Sequence, residues 1–182
     1  MAHQFTTSYL ADADAVLRNY KAMAERAMAQ VSDDQLLEAL DTEGNSIAVI
    51  VKHIAGNLRS RYTEFLSSDG EKPERRRDLE FETPPATRDE LLAMWERGWQ
   101  CVFGTFEQLK ETDLTRTITI RSEPHSVMQA INRTISHSAS HIGQIVFLAK
   151  HLKASEWRSL SVPRGKSDEF NRKMATGDGS QR

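Results

Sequence analysis

The segment HSASHIGQI, residues 137–145, has two histidines four positions apart in a stretch with helical periodicity. Residues in an α-helix turn by about 100° and rise by about 1.5 Å each, so His137 and His141 lie about 40° and about 6 Å apart. Both imidazoles can therefore reach one divalent ion. Ser138 stands where the zinc-protease motif HExxH has its glutamate, which excludes that motif. The spacing leaves two interpretations open: a metal site, or two ordinary histidines beside the core.

A third histidine lies in the segment SIAVIVKHIAGNL, residues 46–58, beside an apolar stripe. On a helical wheel, His53, Asn57 and Glu64 fall within about 40° of one another at the edge of that stripe. Because the flanks of two helices can line one groove, three imidazoles could meet around one ion. Three protein ligands with an open position are typical of catalytic metal sites, whereas structural zinc sites usually have four.

Other polar residues near these histidines are candidates for contacts with a substrate. Asn57 and Glu64 could orient a ligand or move a proton, but nothing in the sequence assigns a catalytic residue. Arg133 precedes His137 by one helical turn, so it could bind an anion near the histidines or pair with a carboxylate of the protein. His125 and His151 are predicted in the turn before this helix and in its last turn, away from the cluster.

Four long amphipathic segments should position these residues. They predict helices over residues 5–30, 46–66, 87–110 and 126–151. A short helix from Ser32 and a short extended piece or half-hairpin at 115–120 are also predicted. Residues 67–86 form a long loop with three prolines, and loops of this length inside a domain are often functional. We therefore predict an all-α, four-helix bundle with a long loop between the second and third long helices. Residues 1–171 form one domain, and residues 172–182 are predicted to be a disordered tail.

Composition narrows the class of protein further. The net charge is -2 with 27% charged residues, which gives no electrostatic case for binding nucleic acid. No apolar run approaches the roughly 20 residues that span a bilayer, so no membrane association is predicted. A single cysteine excludes an internal disulfide and fits a reducing compartment. Together with the absence of a signal-peptide pattern at the N-terminus, this predicts a cytoplasmic protein.

Two segments together resemble a known family. SIAVIVKHIAGNL and RTISHSASHIGQIVFLAKHL are similar to the DinB/YfiT-like superfamily of bacterial four-helix proteins, over roughly residues 5–171. The segments EGNSIAVIVKHIAGNLRSRYTEFLSSDGEKP and LSVPRGKSDEFN resemble an uncharacterised branch of it, a domain of unknown function. The resemblance implies a DinB-like bundle in which His53, His137 and His141 hold a divalent metal, most simply Zn2+ or Ni2+. It also implies a homodimer.

Three functional interpretations follow. The first is a metal-dependent small-molecule enzyme, either thiol-transferase-like or hydrolase-like, because some relatives couple a thiol to an electrophile and others isomerise or hydrolyse small molecules. The second is a non-catalytic, metal-binding dimeric protein with a stress-related or interaction role. The third is a helical bundle whose histidines make ordinary hydrogen bonds. Neither the residues nor the resemblance names a substrate, and imidazole ligands suit several divalent metals.

Overall fold

The computed structural model describes residues 7–177. Within this range the chain is mostly helical, which confirms the broad fold prediction, and a small two-stranded sheet adds to it. The helices are α1 (Tyr9–Met28), α2 (Asp33–Leu37), α3 (Ile47–Tyr62), α4 (Arg88–Phe106), α5 (Val127–Lys153) and α6 (Ser167–Ala175). The strands are β1 (Thr117–Ile120) and β2 (Glu123–Ser126), which pair antiparallel.

Residues with hydroxyl side chains cap the N-termini of the long helices. The hydroxyls of Ser46 and Ser126 accept hydrogen bonds from the backbone N–H groups three residues later, at the starts of α3 and α5. These bonds satisfy donors that a helix N-terminus otherwise leaves unpaired. At its other end α3 stops at Tyr62, four residues before the predicted end, because Thr63 is extended and Glu64 adopts φ 49°.

The four long helices α1, α3, α4 and α5 enclose one apolar core. α3 and α4 run parallel, since Ala55 packs against Gly98 and, seven residues further along both helices, the Thr105 hydroxyl donates to the Tyr62 carbonyl. α1 runs antiparallel to α4, as the hydrogen bond from Trp95 to Glu25 and other contacts between them indicate.

The connection between α3 and α4, residues 63–87, is a crossover. Parallel helices require it to return along the 16-residue length of α3, about 24 Å. It packs against α3 on the way: the Lys52 amine donates to the Thr83 carbonyl at 2.9 Å and also to the Leu79 carbonyl. A 3₁₀ turn at Asp78–Phe81 lies beside the middle of α3. The predicted long loop is thus an ordered segment that covers one face of a helix.

The β1–β2 hairpin is attached to the beginning of the crossover. Its turn residues, Arg121 and Ser122, have φ of 56° and 62°, and both backbone N–H groups donate to the Asp69 carboxylate at 2.8 and 2.7 Å. Partial burial opposes ionisation of Asp69, but these backbone hydrogen bonds, with one from Glu71, outweigh it and lower the pKa to about 2. The predicted extended piece at 115–120 thus corresponds to β1, stabilised by a carboxylate distant in sequence.

The C-terminal segment differs in part from its prediction. Trp157 and Leu160 pack against the core, and α6 continues to Ala175, so it overlaps the start of the predicted disordered tail. Acidic residues in its first turn and basic residues in its last turn suit the helix dipole. Residues 178–182 lie outside the described part of the chain, and the domain assignment stays a prediction. Among residues 7–177, no helix combines the length and apolar character needed to cross a bilayer.

Candidate metal centre

The three histidines singled out by spacing meet in the structure. His53 lies on α3, and His137 and His141 lie one turn apart on the facing surface of α5. The Nε2 atoms of His53 and His137 are 3.2 Å apart. One ligand nitrogen from each of the three rings can be chosen so that all lie within 4.8 Å of one another. Because α3 and α5 are uninterrupted at these positions, two helices bring three potential metal-ligand side chains to one point.

These separations fit a divalent ion. Zinc–imidazole bonds of about 2.0–2.1 Å in tetrahedral geometry place two ligand nitrogens about 3.3 Å apart. The 3.2 Å between the His53 and His137 nitrogens is close to that value. Within the described residues, the cluster contains three potential ligand side chains, a set that leaves coordination positions for water or substrate.

A carboxylate from the crossover orients His53. The Nδ1 atom of His53 lies 2.8 Å from Glu80 Oε2, and Arg75 donates to both oxygens of Glu80 at 2.8 and 2.9 Å. With the Nδ1 proton donated to Glu80, the Nε2 lone pair of His53 faces the other histidines. Such a carboxylate partner is the usual outer contact of a metal-binding histidine.

Gln144 gives His141 a comparable contact. The Nδ1 atom of His141 lies 2.8 Å from the Gln144 side-chain oxygen, which can accept its proton. This tautomer leaves Nε2 of His141 unprotonated. In contrast, Nδ1 of His137 is buried and has no hydrogen-bond partner among the described residues.

Burial keeps the α5 histidines neutral. It lowers the pKa of His137 to about 3, with further lowering by the neighbouring imidazoles of His141 and His53 and by the positive charges of Arg75 and Arg61. Burial also lowers the pKa of His141. Neutral imidazole is the form that binds a metal, so the two rings are ready as ligands near neutral pH.

A cavity of about 440 Å³ opens beside the cluster. All three histidines line it, and so do Asn57 and Arg133, both of which the sequence singled out. Phe81 of the crossover covers His53, with the two ring centroids 4.6 Å apart. The volume is within the range of small-molecule sites, roughly 300–1,000 Å³.

Glu64 does not join this group. It lies two residues beyond the end of α3, exposed and at positive φ, so the helical wheel that placed it beside His53 does not apply there. Lys72 is among the charges close to it. The carboxylate that the structure places at His53 is Glu80, which is 7% exposed.

The residues that the crossover contributes to the site were not predicted from the sequence. Glu80 is 27 residues after His53, and no periodic pattern relates the two positions. The only feature of the sequence that pointed to this segment was the unusual length of the loop, together with its neighbouring acidic and basic residues. His125, partly buried in β2, and His151, exposed near the end of α5, do not belong to the three-histidine cluster.

Fold and site together define a mostly helical protein with a three-histidine cluster at the wall of a cavity. The chain belongs to the family described as "Protein of unknown function (DUF1572)", whose family model matches residues 4–166. This confirms the prediction of an uncharacterised domain family. No curated protein and no solved structure gives a significant match to the chain.

Proposed function

We propose that the protein is a metal-dependent enzyme acting on a small molecule, in a thiol-transferase-like or hydrolase-like reaction. His53, His137 and His141 hold the divalent ion, Zn2+ or Ni2+. The observation that carries the proposal is the convergence of three imidazoles, with ligand atoms within 4.8 Å of one another, at the wall of a cavity.

The bound ion would lower the pKa of a water or thiol and so supply a nucleophile near neutral pH. The protein's own residues have separate tasks. Glu80 fixes the orientation and the tautomer of the His53 ring, and Gln144 does the same for His141. Asn57 lines the cavity one turn after His53, where its amide can hydrogen-bond a substrate oxygen. Phe81 shields the His53 ring and limits the access of water to it.

The alternative is a metal-binding protein without turnover, with a stress-related or interaction role. The same histidines would serve it, but it has no need of a cavity at the metal ligands. The 440 Å³ cavity beside a cluster of only three ligand side chains in the described chain favours the enzyme.

We also propose that the fold is a DinB-like four-helix bundle. Support comes from the four long helices around one core, the crossover between two parallel helices, and the placing of one histidine on α3 and two on α5. A homodimer and a cytoplasmic location remain predictions, and sedimentation analysis of the purified protein tests the first of them.

Metal content tests the proposal. Untagged protein is incubated with Zn2+ or Ni2+, freed of excess metal, and measured by mass spectrometry as wild type and as His137→Ala. The matched control is His151→Ala, which removes an exposed histidine from the same helix. We expect about one ion per chain in wild type and control and a loss in His137→Ala; absence of stoichiometric metal from the wild type would refute the proposal.

A turnover assay separates the enzyme from the alternative. Metal-loaded protein is screened with low-molecular-weight thiols plus electrophiles and with hydrolysable esters and amides. Turnover that disappears in His137→Ala and persists in His151→Ala supports the enzyme. Stoichiometric metal with no turnover above the His137→Ala background favours the non-catalytic alternative.

A further inference from the structure

The cavity beside the histidines is rich in positive charge. Five of its lining residues are arginines: Arg61, Arg75, Arg77, Arg121 and Arg133. The carboxylates that pair with them are fewer, namely Glu71, Glu80 and Asp78. Because Asp78 is almost fully exposed and lies 3.6 Å from Arg77, its charge is largely screened by solvent. The cavity lining therefore has more cationic than anionic side chains, and Arg77, Arg121 and Arg133 are also exposed to solvent.

Most of these arginines have structural partners. Glu71 Oε2 lies within 3.1 Å of nitrogen atoms of Arg61, Arg75 and Arg121, so one carboxylate joins α3, the crossover and the hairpin. Arg75 also binds Glu80. These side chains are committed to holding the walls of the cavity together.

Arg133 differs from them. It has no hydrogen bond or ion pair to any residue within 7–177, although it is a cavity-lining cation with five donor N–H groups. It lies one turn before His137 on the same face of α5, about 6 Å along the axis. An unpaired guanidinium at this position is available for a ligand.

Two of the arginines that line the cavity lie on one side of the histidine cluster. α3 and α5 run antiparallel at the site. Arg61 follows His53 by two turns on α3, and Arg133 precedes His137 by one turn on α5. Arg61 and Arg133 therefore lie on the same side of the imidazoles along the cavity, whereas Arg75, bound to Glu80, lies beside His53. Asn57 and Thr134 line the wall between the histidines and these two arginines, and Phe65, Ile120 and Ala130 add apolar surface elsewhere in the cavity.

We propose that Arg133 and the surrounding positive charge form an anion subsite, and that the substrate carries a carboxylate or phosphate group. This inference rests on the proposed function, because the histidine end must then hold the reacting group. The anionic group binds the Arg133 guanidinium, and the rest of the molecule extends past Thr134 and Asn57 to the histidines. Guanidinium recognises both oxyanions through paired hydrogen bonds, which gives orientation as well as affinity.

The test measures binding of matched small molecules by calorimetry to untagged, zinc-loaded and metal-free protein. Phenylacetate and phenyl phosphate are the anionic probes, and phenylacetamide is the neutral probe of similar shape. The variant is Arg133→Gln. The control is Lys150→Gln, which removes one positive charge from an exposed position of the same helix. Zinc content is measured for every sample.

We expect at least one anion to bind tenfold or more tightly than phenylacetamide. Arg133→Gln should weaken that binding at least tenfold, Lys150→Gln should leave it unchanged, and zinc content should be equal in the zinc-loaded samples of the wild type and both variants. The anion should also bind the metal-free protein, since an anion held only by the ion would lose its site there. The better of the two anionic probes identifies the carboxylate or the phosphate as the preferred group.

Two results overturn the inference: equal affinity for anion and amide, or an anion affinity that Arg133→Gln does not change. Both leave the proposed function intact if zinc remains stoichiometric. Conversely, Arg133-dependent anion binding by a wild-type protein that takes up no zinc would refute the proposed function, and with it the assignment of the anion as substrate.

Discussion

Replacing Gly56 with alanine should weaken metal binding without a comparable loss of stability. A Cβ atom at this position of α3 would lie 2.4 Å from Glu80 Oε1 and 2.8 Å from Glu80 Cδ. Restoring ordinary contact distances of about 3.5 Å requires the carboxyl group to move by about 1 Å. Since Glu80 Oε2 is 2.8 Å from His53 Nδ1, a movement of this size away from α3 breaks the hydrogen bond that orients the ring.

The two effects of this substitution differ in size. Loss of an outer contact of a metal-binding histidine typically lowers metal affinity about 10–100-fold, equivalent to about 1.4–2.7 kcal/mol. Alanine in place of glycine stabilises a helix interior by about 1 kcal/mol. The disturbed contacts of Glu80 cost about 1–2 kcal/mol. The net change in the free energy of unfolding of the metal-free protein is therefore within about 1 kcal/mol.

Zinc affinity is measured by competition with a chromogenic chelator, and stability by urea unfolding of the metal-free protein. Gly104→Ala is the matched control, because Gly104 is also in a helix and, apart from its chain neighbours and the backbone of its own helical turns, no described atom lies within 4 Å of its added Cβ. We expect the control to keep wild-type affinity and to gain about 0.5–1 kcal/mol of stability. Wild-type zinc affinity in Gly56→Ala would refute the role assigned to Glu80.

Three further predictions concern the same framework. Glu80→Gln should lower zinc affinity about tenfold or more in the chelator assay, whereas Glu82→Gln, exposed on the same crossover, should not; equal affinities would argue against the carboxylate contact. Gly98→Ala places a Cβ 2.9 Å from the Ala55 Cα atom. It should therefore force α3 and α4 apart and lower the free energy of unfolding in urea by about 1–3 kcal/mol, and an unchanged midpoint would contradict this close packing. Asp69→Asn should cost about 1–2 kcal/mol at pH 7. Because the folded-state pKa of Asp69, about 2, lies below the ordinary value, its contribution is present above about pH 4 and disappears as pH falls towards 2. The difference in urea stability between wild type and Asp69→Asn should shrink over that range, and a constant difference would contradict the assignment.

The convergence of the three histidines could be anticipated because it depends on regular geometry. His53, His137 and His141 lie within uninterrupted helices, where position on a face follows from spacing alone. The same reasoning failed for Glu64, since the wheel was continued past the point where α3 ends. The helix end gave no clear signal, because no glycine or proline follows Tyr62 directly.

The outer contacts of the site could not be anticipated. Glu80 reaches His53 only because the crossover folds back along α3, and local pattern does not encode that path. The hairpin was likewise only half predicted. A turn with two positive φ values usually contains Asn-Gly, whereas this one has Arg121 and Ser122 and is held by the distant Asp69.

The crossover also determines when the site can form during folding. His53 and His137 are 84 residues apart in sequence, and Glu80 joins them only after the chain has returned along α3. Contacts of such long range are made late, because the entropy of closing large loops must be met before they stabilise the chain. A metal ion at this site would therefore stabilise a native state that is already assembled, slowing its unfolding more than it accelerates its folding.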